Sequence, residues 1–123
     1  MSAEDVCADE TYTKTCGEGE VIVMTSAEYG RMPGGTCIDR IGPVGCRSDI
    51  IQIAHSHCSG RWACKWQVIQ KDLNKATTGC DAIPKDYPRF VTVTSRCQQG
   101  KLYGPHSLML SLVSTVSDVY LIL

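Results

Sequence analysis

The sequence is short of the means to build a large apolar core. One Phe stands among 123 residues, with two Trp and five Tyr. An excess of either charge is missing too. Twelve basic against 13 acidic residues leave a formal net charge of -1, which gives no electrostatic footprint for nucleic acid or an acidic membrane surface. Arg61, Lys65, Lys71 and Lys75 are spread over a long stretch and read as a solvated face. The single asparagine, Asn74, is followed by Lys75 and Ala76, so there is no N-glycosylation acceptor. No apolar run is long enough for an ordinary membrane span. No Gly-X-Ser-X-Gly elbow occurs. Carboxylate pairs such as Asp9 with Glu10, or Glu18 with Glu20, fall in strand or turn stretches and read as solvated surface. Nothing recommends an enzyme.

What the chain has instead is cysteine. Eight stand at 7, 16, 37, 46, 58, 64, 80 and 97. An even set spread so widely reads as a disulfide framework in an oxidising compartment. Each bridge would restrict the unfolded chain by roughly 2–4 kcal/mol, which offsets a thin core. Paired cysteines leave no thiolate for nucleophilic catalysis. They also argue against zinc: Cys58 and Cys64 lie near His55 and His57, but five residues separate them and no second short pair exists. No metal or other cofactor is expected. Met1 to Asp5 is polar and acidic, and no secretory signal precedes Cys7. A secreted or extracellular protein is therefore expected from the cysteines alone, with a reduced cytosolic protein as the alternative.

Taken in order, residues 1–6 read as a disordered leader. Glu10 to Thr15 alternates and is rich in Thr and Tyr, a strand signal. Gly17-Glu18-Gly19 is a turn. Val21 to Met24 is a continuous apolar run, as in a strand covered on both faces. Thr25 to Arg31 then reads as the exit of that strand into a loop. Tyr29, Gly30 and Arg31 sit where rigid structure hands polar groups to a loop, a common setting for binding sites. Residues 32–47 carry Pro33, Gly34, Gly35, Gly42, Pro43 and Gly45 and read as loop. Ser48 or Asp49 would cap a short helix with Ile50, Ala54 and Cys58 on one face, ended by Ser59-Gly60. Trp62 to Ile69 reads as a strand with Cys64, Trp66 and Val68 on one side. Gln70 to Thr78 is a second short helix or a loop. Cys80 to Pro88 is loop, and Phe90 to Cys97 is a closing strand.

Beyond Cys97 the composition shifts. Gln98 to His106 reads as a linker, and Leu108 to Leu123 is apolar with Ser111, Ser114, Thr115, Ser117 and Asp118 interrupting it. Sixteen residues with an Asp are short for a span. A lipid-anchor signal, a helix docking on a partner, a tail packed on the domain, and frame-shifted or intron-derived sequence all stay open.

Candidate ligand groups follow from the chemistry of sugars. A hydroxyl both donates and accepts, so carboxylates suit vicinal hydroxyl pairs, Lys or Arg donates back, and an aromatic makes a wall. Tyr29, Glu10, Asp81 and Arg89 are of these types and lie near half-cystines or strand ends, with Arg31 beside them.

The order Cys7, Cys16, Ala27-Glu28-Tyr29-Gly30-Arg31, Thr36-Cys37, together with Cys58-Ser59-Gly60-Arg61-Trp62-Ala63-Cys64 and Arg89-Phe90-Val91 running to Cys97, resembles the SUEL-type lectin domain. This galactose/rhamnose-binding family is also found in latrophilins. The resemblance covers about residues 5–97 and sets the expected domain at 7–97, with 98–123 as linker and tail. It implies the bridges Cys7–Cys37, Cys16–Cys97, Cys46–Cys80 and Cys58–Cys64. The implied fold is a compact disulfide-stapled antiparallel β-sandwich with one or two short helices, of α+β class. It also implies metal-independent binding of galactose- or rhamnose-type glycans or glycoproteins. Tyr29 would be wall and hydroxyl donor, Arg89 a donor, Asp81 or Glu10 an acceptor, and Gly30 and Arg31 structural. The chain departs from the family at Ala8, where sugar-binding members carry Glu, and at Thr78-Gly79, where they carry Asp-Pro. These departures keep a second expectation open, an extracellular protein-interaction module on the same scaffold. A homo-oligomer and membrane association through the tail are further expectations.

Overall fold

The computed structural model describes residues 3–38 and 42–100. The expectations placed on residues 101–123 lie outside the described residues. Six strands and two helices follow in the order β1 (Glu4–Cys7), β2 (Thr11–Thr15), β3 (Glu20–Arg31), β4 (Cys46–Asp49), α1 (Ile51–Cys58), β5 (Ala63–Gln67), α2 (Gln70–Ala76) and β6 (Phe90–Gln99). Strands β1-β6-β3-β4 form one sheet and β2-β5 a second, every pairing antiparallel. This is an α+β fold stapled by disulfides.

All eight cysteines are bridged, in the pairs the family resemblance implies: Cys7–Cys37, Cys16–Cys97, Cys46–Cys80 and Cys58–Cys64. The core is thin, as the composition demands, and both sheets contribute to it. Val6, Ile22, Met24, Ala27, Tyr29, Val91 and Val93 come from the larger sheet, and Tyr12, Cys64 and Trp66 from the smaller. The Tyr12 and Ser95 hydroxyls share a hydrogen bond of 3.0 Å that ties one sheet to the other. Ile50, Ala54 and Cys58 are buried at four-residue spacing, so α1 presents one face to this core.

Several elements differ from the sequence reading. Glu4–Cys7 is not leader: it pairs with Val93 to Phe90 of β6, and burial of Val6 anchors it. The closing strand does not stop at Cys97. Val21 and Glu20 pair with Gln98 and Gln99, and the Gly100 N–H donates to the Gly19 carbonyl, so the ladder outruns the last half-cystine. Residues 46–49, expected partly in a loop, form the edge strand β4 against Glu28 to Arg31. Asp49 still serves the start of α1, accepting from the Ile51 N–H at 2.9 Å, although Ile50 takes the cap position.

The largest difference concerns Thr25–Arg31. It is not an exit from β3 but its second half. The ladder with β6 shifts register between Met24 and Ser26, so Thr25 is an extra residue, a β-bulge. Side chains alternate along a strand, and the bulge changes which parity points inward. Ile22 and Met24 are buried before it; Ala27, Tyr29 and Arg31 are buried after it. The bulge thus turns an aromatic and a cation into the interior.

Candidate functional site

Beyond the bulge, two buried arginines organise irregular chain. Arg31 is fully enclosed; its Nε–H donates to the Pro43 carbonyl at 2.8 Å and its Nη1 to the Pro88 carbonyl at 3.0 Å, and the guanidinium lies 5.2 Å from the centre of the Tyr87 ring. It joins two loops to the end of β3. Gly30, beside it, has no room for a side chain: a Cβ would run into the Cys46 carbonyl and the Arg47 Cα of β4. Gly79 is pressed the same way onto the Arg47 carbonyl and the Ser48 hydroxyl.

Arg89 is only 2% exposed. Its Nη1 donates to the carbonyls of Pro84 and Tyr87, at 3.2 and 3.0 Å. Its Nη2 donates to those of Cys80 and Ile83, at 2.9 and 2.7 Å. The loop from Cys80 to Pro88 is wrapped around one guanidinium. The Nε–H, also buried, has no partner among the described residues. Arg89 therefore braces the loop from inside; the sequence reading had it facing the ligand. Asp81 lies on that loop, exposed, its N–H closing a turn onto the Thr78 carbonyl.

Tyr29 is likewise enclosed, at 1% exposure. Its hydroxyl donates to Asn74 Oδ1 at 2.7 Å, with the Gln70 carbonyl at 3.5 Å. Burial pushes the phenol well above its ordinary range; Arg89 draws it down and Asp9 pushes it up, both by their charge. The phenol stays protonated and acts as a fixed donor beneath α2. The Tyr29 ring, expected as an exposed wall, lies inside the core instead.

Two residues that the sequence reading passed over now matter. Gln70 and Asn74 are one helical turn apart on α2, both partly exposed. Asn74 Oδ1 is taken by Tyr29, and Gln70 Oε1 accepts the Arg89 backbone N–H at 3.1 Å. With both amide oxygens committed to the fold, both NH2 groups remain as donors on one face. The available signal was their four-residue spacing, in a stretch left between helix and loop. Glu10, expected as an acceptor, folds back instead: its Oε1 accepts the Cys7 N–H at 3.0 Å. Asp9, beside it, is held in the left-handed region with φ of 66° and accepts the Gln70 N–H at 3.4 Å. The candidate site is a cluster of the exposed Asp9 with the partly exposed Gln70 and Asn74, held from below by the Tyr29 hydroxyl and from the side by the Arg89 backbone N–H, with Glu10 and Asp81 on separate exposed turns.

Amide donors beside a carboxylate acceptor are groups that pair with the hydroxyls of a ligand. The comparison with known proteins points the same way. The chain is similar to a lectin. It is 36% identical over 69 residues to a D-galactoside-specific lectin of Heliocidaris crassispina, in a match covering 52% of this chain and 66% of that lectin. The chain thus spans just under two thirds of the lectin's length. No known protein-family model matches the chain. The lectin is a distant homologue, consistent with a galactose-binding lectin family.

Proposed function

We propose that this chain is a carbohydrate-binding module for galactose- or rhamnose-type glycans, acting without metal, catalysis or cofactor, in an extracellular setting. The observation that carries this is the homology to a D-galactoside-specific lectin. The site chemistry supports it. The amide groups of Gln70 and Asn74 donate to sugar hydroxyls, and carboxylate oxygens at the β1–β2 turn accept from them. Tyr29 and Arg89 hold the cluster in place, and Asp81 and Glu10 stand on separate exposed turns. Charge-assisted bonds from a carboxylate to a hydroxyl pair are the stronger members of such a set. The four disulfides fit an oxidising compartment. A single small site binds monosaccharides weakly, so useful avidity comes from a homo-oligomer.

The test is calorimetry and a glycan array on fully oxidised protein, with and without a chelator. Binding of galactosides or rhamnosides that the chelator leaves unchanged is the expected result. No binding at high protein concentration overturns the proposal.

A second reading is favoured by one observation, the complete enclosure of Arg89 by carbonyls of the 80–88 loop. A loop so braced offers a firm surface for a protein partner. Pull-down from extracellular material would then recover a protein that free galactose or rhamnose fails to displace.

A further inference from the structure

Strands β2 and β5 pair over Thr11–Thr15 and Ala63–Gln67 as a two-stranded ribbon. Its inner row, Tyr12, Cys64 and Trp66, is buried. Alternation along a strand puts the residues between these on the opposite side, and Thr11, Thr13, Thr15, Lys65 and Gln67 are all exposed there. Pairing sets Thr11 beside Gln67 and Thr13 beside Lys65. The three hydroxyls and the Lys65 ammonium have no hydrogen-bond partner among the described residues, so the fold does not use them. A hydroxyl donates and accepts, and an ammonium donates, so this row matches the hydroxyls of a sugar chain. Five paired residues at about 3.4 Å each make it roughly 14 Å long, more than one sugar ring.

Apolar side chains bracket the row. Of the three large hydrophobic side chains exposed among the described residues, two stand at its ends: Trp62, 56% exposed, just before β5, and Ile69, 38% exposed, shortly after it. An indole is a rigid amphipathic surface on which the C–H face of a sugar ring can lie. Between the ends there is no large apolar group, too little for the apolar centre of a protein interface. Both ends are fixed before any ligand arrives, which lowers the cost of ordering. The Trp62 carbonyl accepts the Cys16 N–H at 2.9 Å beside the Cys58–Cys64 bridge, and the Val68 N–H donates to the Glu10 carbonyl at 2.8 Å. The Ile69 end joins the candidate site: Gln67 Nε2 donates to the Asp9 carbonyl at 3.3 Å, and Ile69 caps α2 directly before Gln70.

We infer that the outer face of the β2–β5 ribbon is an extended subsite for the glycan chain that carries the terminal galactoside, with Trp62 as the platform at its far end. The inference rests on the galactoside reading and deepens it: the ligand is an oligosaccharide, and the ribbon reads its length.

The test is titration calorimetry with galacto-oligosaccharides of several linkages, from the methyl glycoside to the tetrasaccharide. The wild type should bind a tetrasaccharide about tenfold more tightly than methyl galactoside. Trp62→Ala should lose that gain and keep its affinity for methyl galactoside, a split that a merely structural role would not produce. Thr13→Val keeps the branched shape of a strand residue and should lose about threefold on the tetrasaccharide alone. Because Trp66 is buried, acrylamide quenching reports on Trp62, and the tetrasaccharide should shield it where methyl galactoside does not. Equal affinity of the wild type for methyl galactoside and every oligosaccharide, or an unchanged gain with length in Trp62→Ala, overturns the inference and leaves the galactoside reading standing. A wild type that binds neither methyl galactoside nor any oligosaccharide overturns both.

Discussion

Two loops of similar irregularity are held in opposite ways. The loop from Cys58 to Cys64 is closed by its own disulfide and by main-chain bonds. The Gly60 N–H donates to the Ile22 carbonyl, the Ile22 N–H to that of Arg61, and the Cys16 N–H to that of Trp62, all within 2.9 Å. Its side chains do little of this: Trp62 is 56% exposed. The loop from Cys80 to Pro88 also has a disulfide, to Cys46, two turn bonds of its own and a third from Asp81 back to Thr78. Yet four of its carbonyls converge on one side chain, Arg89, and the Pro88 carbonyl goes to Arg31. Main-chain bonding tolerates almost any sequence. Bonding to one guanidinium makes nine residues depend on a single position, and that loop borders the candidate site.

The sharpest way to break the contrast is Arg89→Ala. It strands four carbonyls and leaves a hollow, and should cost about 3–5 kcal/mol in urea unfolding. Arg89→Lys should recover only part of this, because an ammonium has three donors and no planar fork. Equal stability of Arg89→Ala and the wild type would dissolve the distinction. Removing the Cys58–Cys64 bridge with a double Ala variant should cost less, about 2 kcal/mol, since it closes a sequence separation of only 6.

A smaller effect is expected at the foot of the first loop. Ser59 Oγ accepts the Met24 N–H at 3.0 Å and lies 2.7 Å from His55 Nδ1. Either group can be the donor of that bond, the ring tautomer deciding which. Burial lowers the His55 pKa from its ordinary 6.5. A depressed pKa contributes stability that is present above the unfolded value and lost as pH falls through the folded one. Melting temperature should therefore decline below about pH 6.5, and His55→Gln should flatten that decline. Smallest of all, Trp62→Ala should change stability by no more than about 0.5 kcal/mol, because nothing in the loop leans on the indole. A larger loss would mean that side chains hold this loop too.

The sequence was most readable where spacing alone carries the information. Ile50, Ala54 and Cys58 declared a helical face, and Cys64, Trp66 and Val68 a strand face; all six are buried. It was least readable at the site. Tyr29 and Arg89 were recognisable as important, but nothing local says that a phenol faces Asn74 45 residues away, or that a guanidinium turns back on its own preceding loop. Glu4–Cys7 was missed because an acidic tetrapeptide gains strand structure only by pairing with β6. Asp9 could not be singled out, since a positive φ is set by the bonds that Val68 and Gln67 make to it from the far strand.

The cysteine count, the thin core, the alternation of the strands and the helical face at 50–58 belong to the sequence itself, because each depends on composition or on neighbours within a turn or a strand. The tertiary structure decided the rest. A single extra residue at Thr25 changed the parity of β3 and sent Tyr29 and Arg31 inward. Once inside, a phenol and a guanidinium must find partners wherever the fold offers them, because an unmet donor in the interior is costly. Those partners, Asn74 and the carbonyls of two loops, are what shape the candidate site.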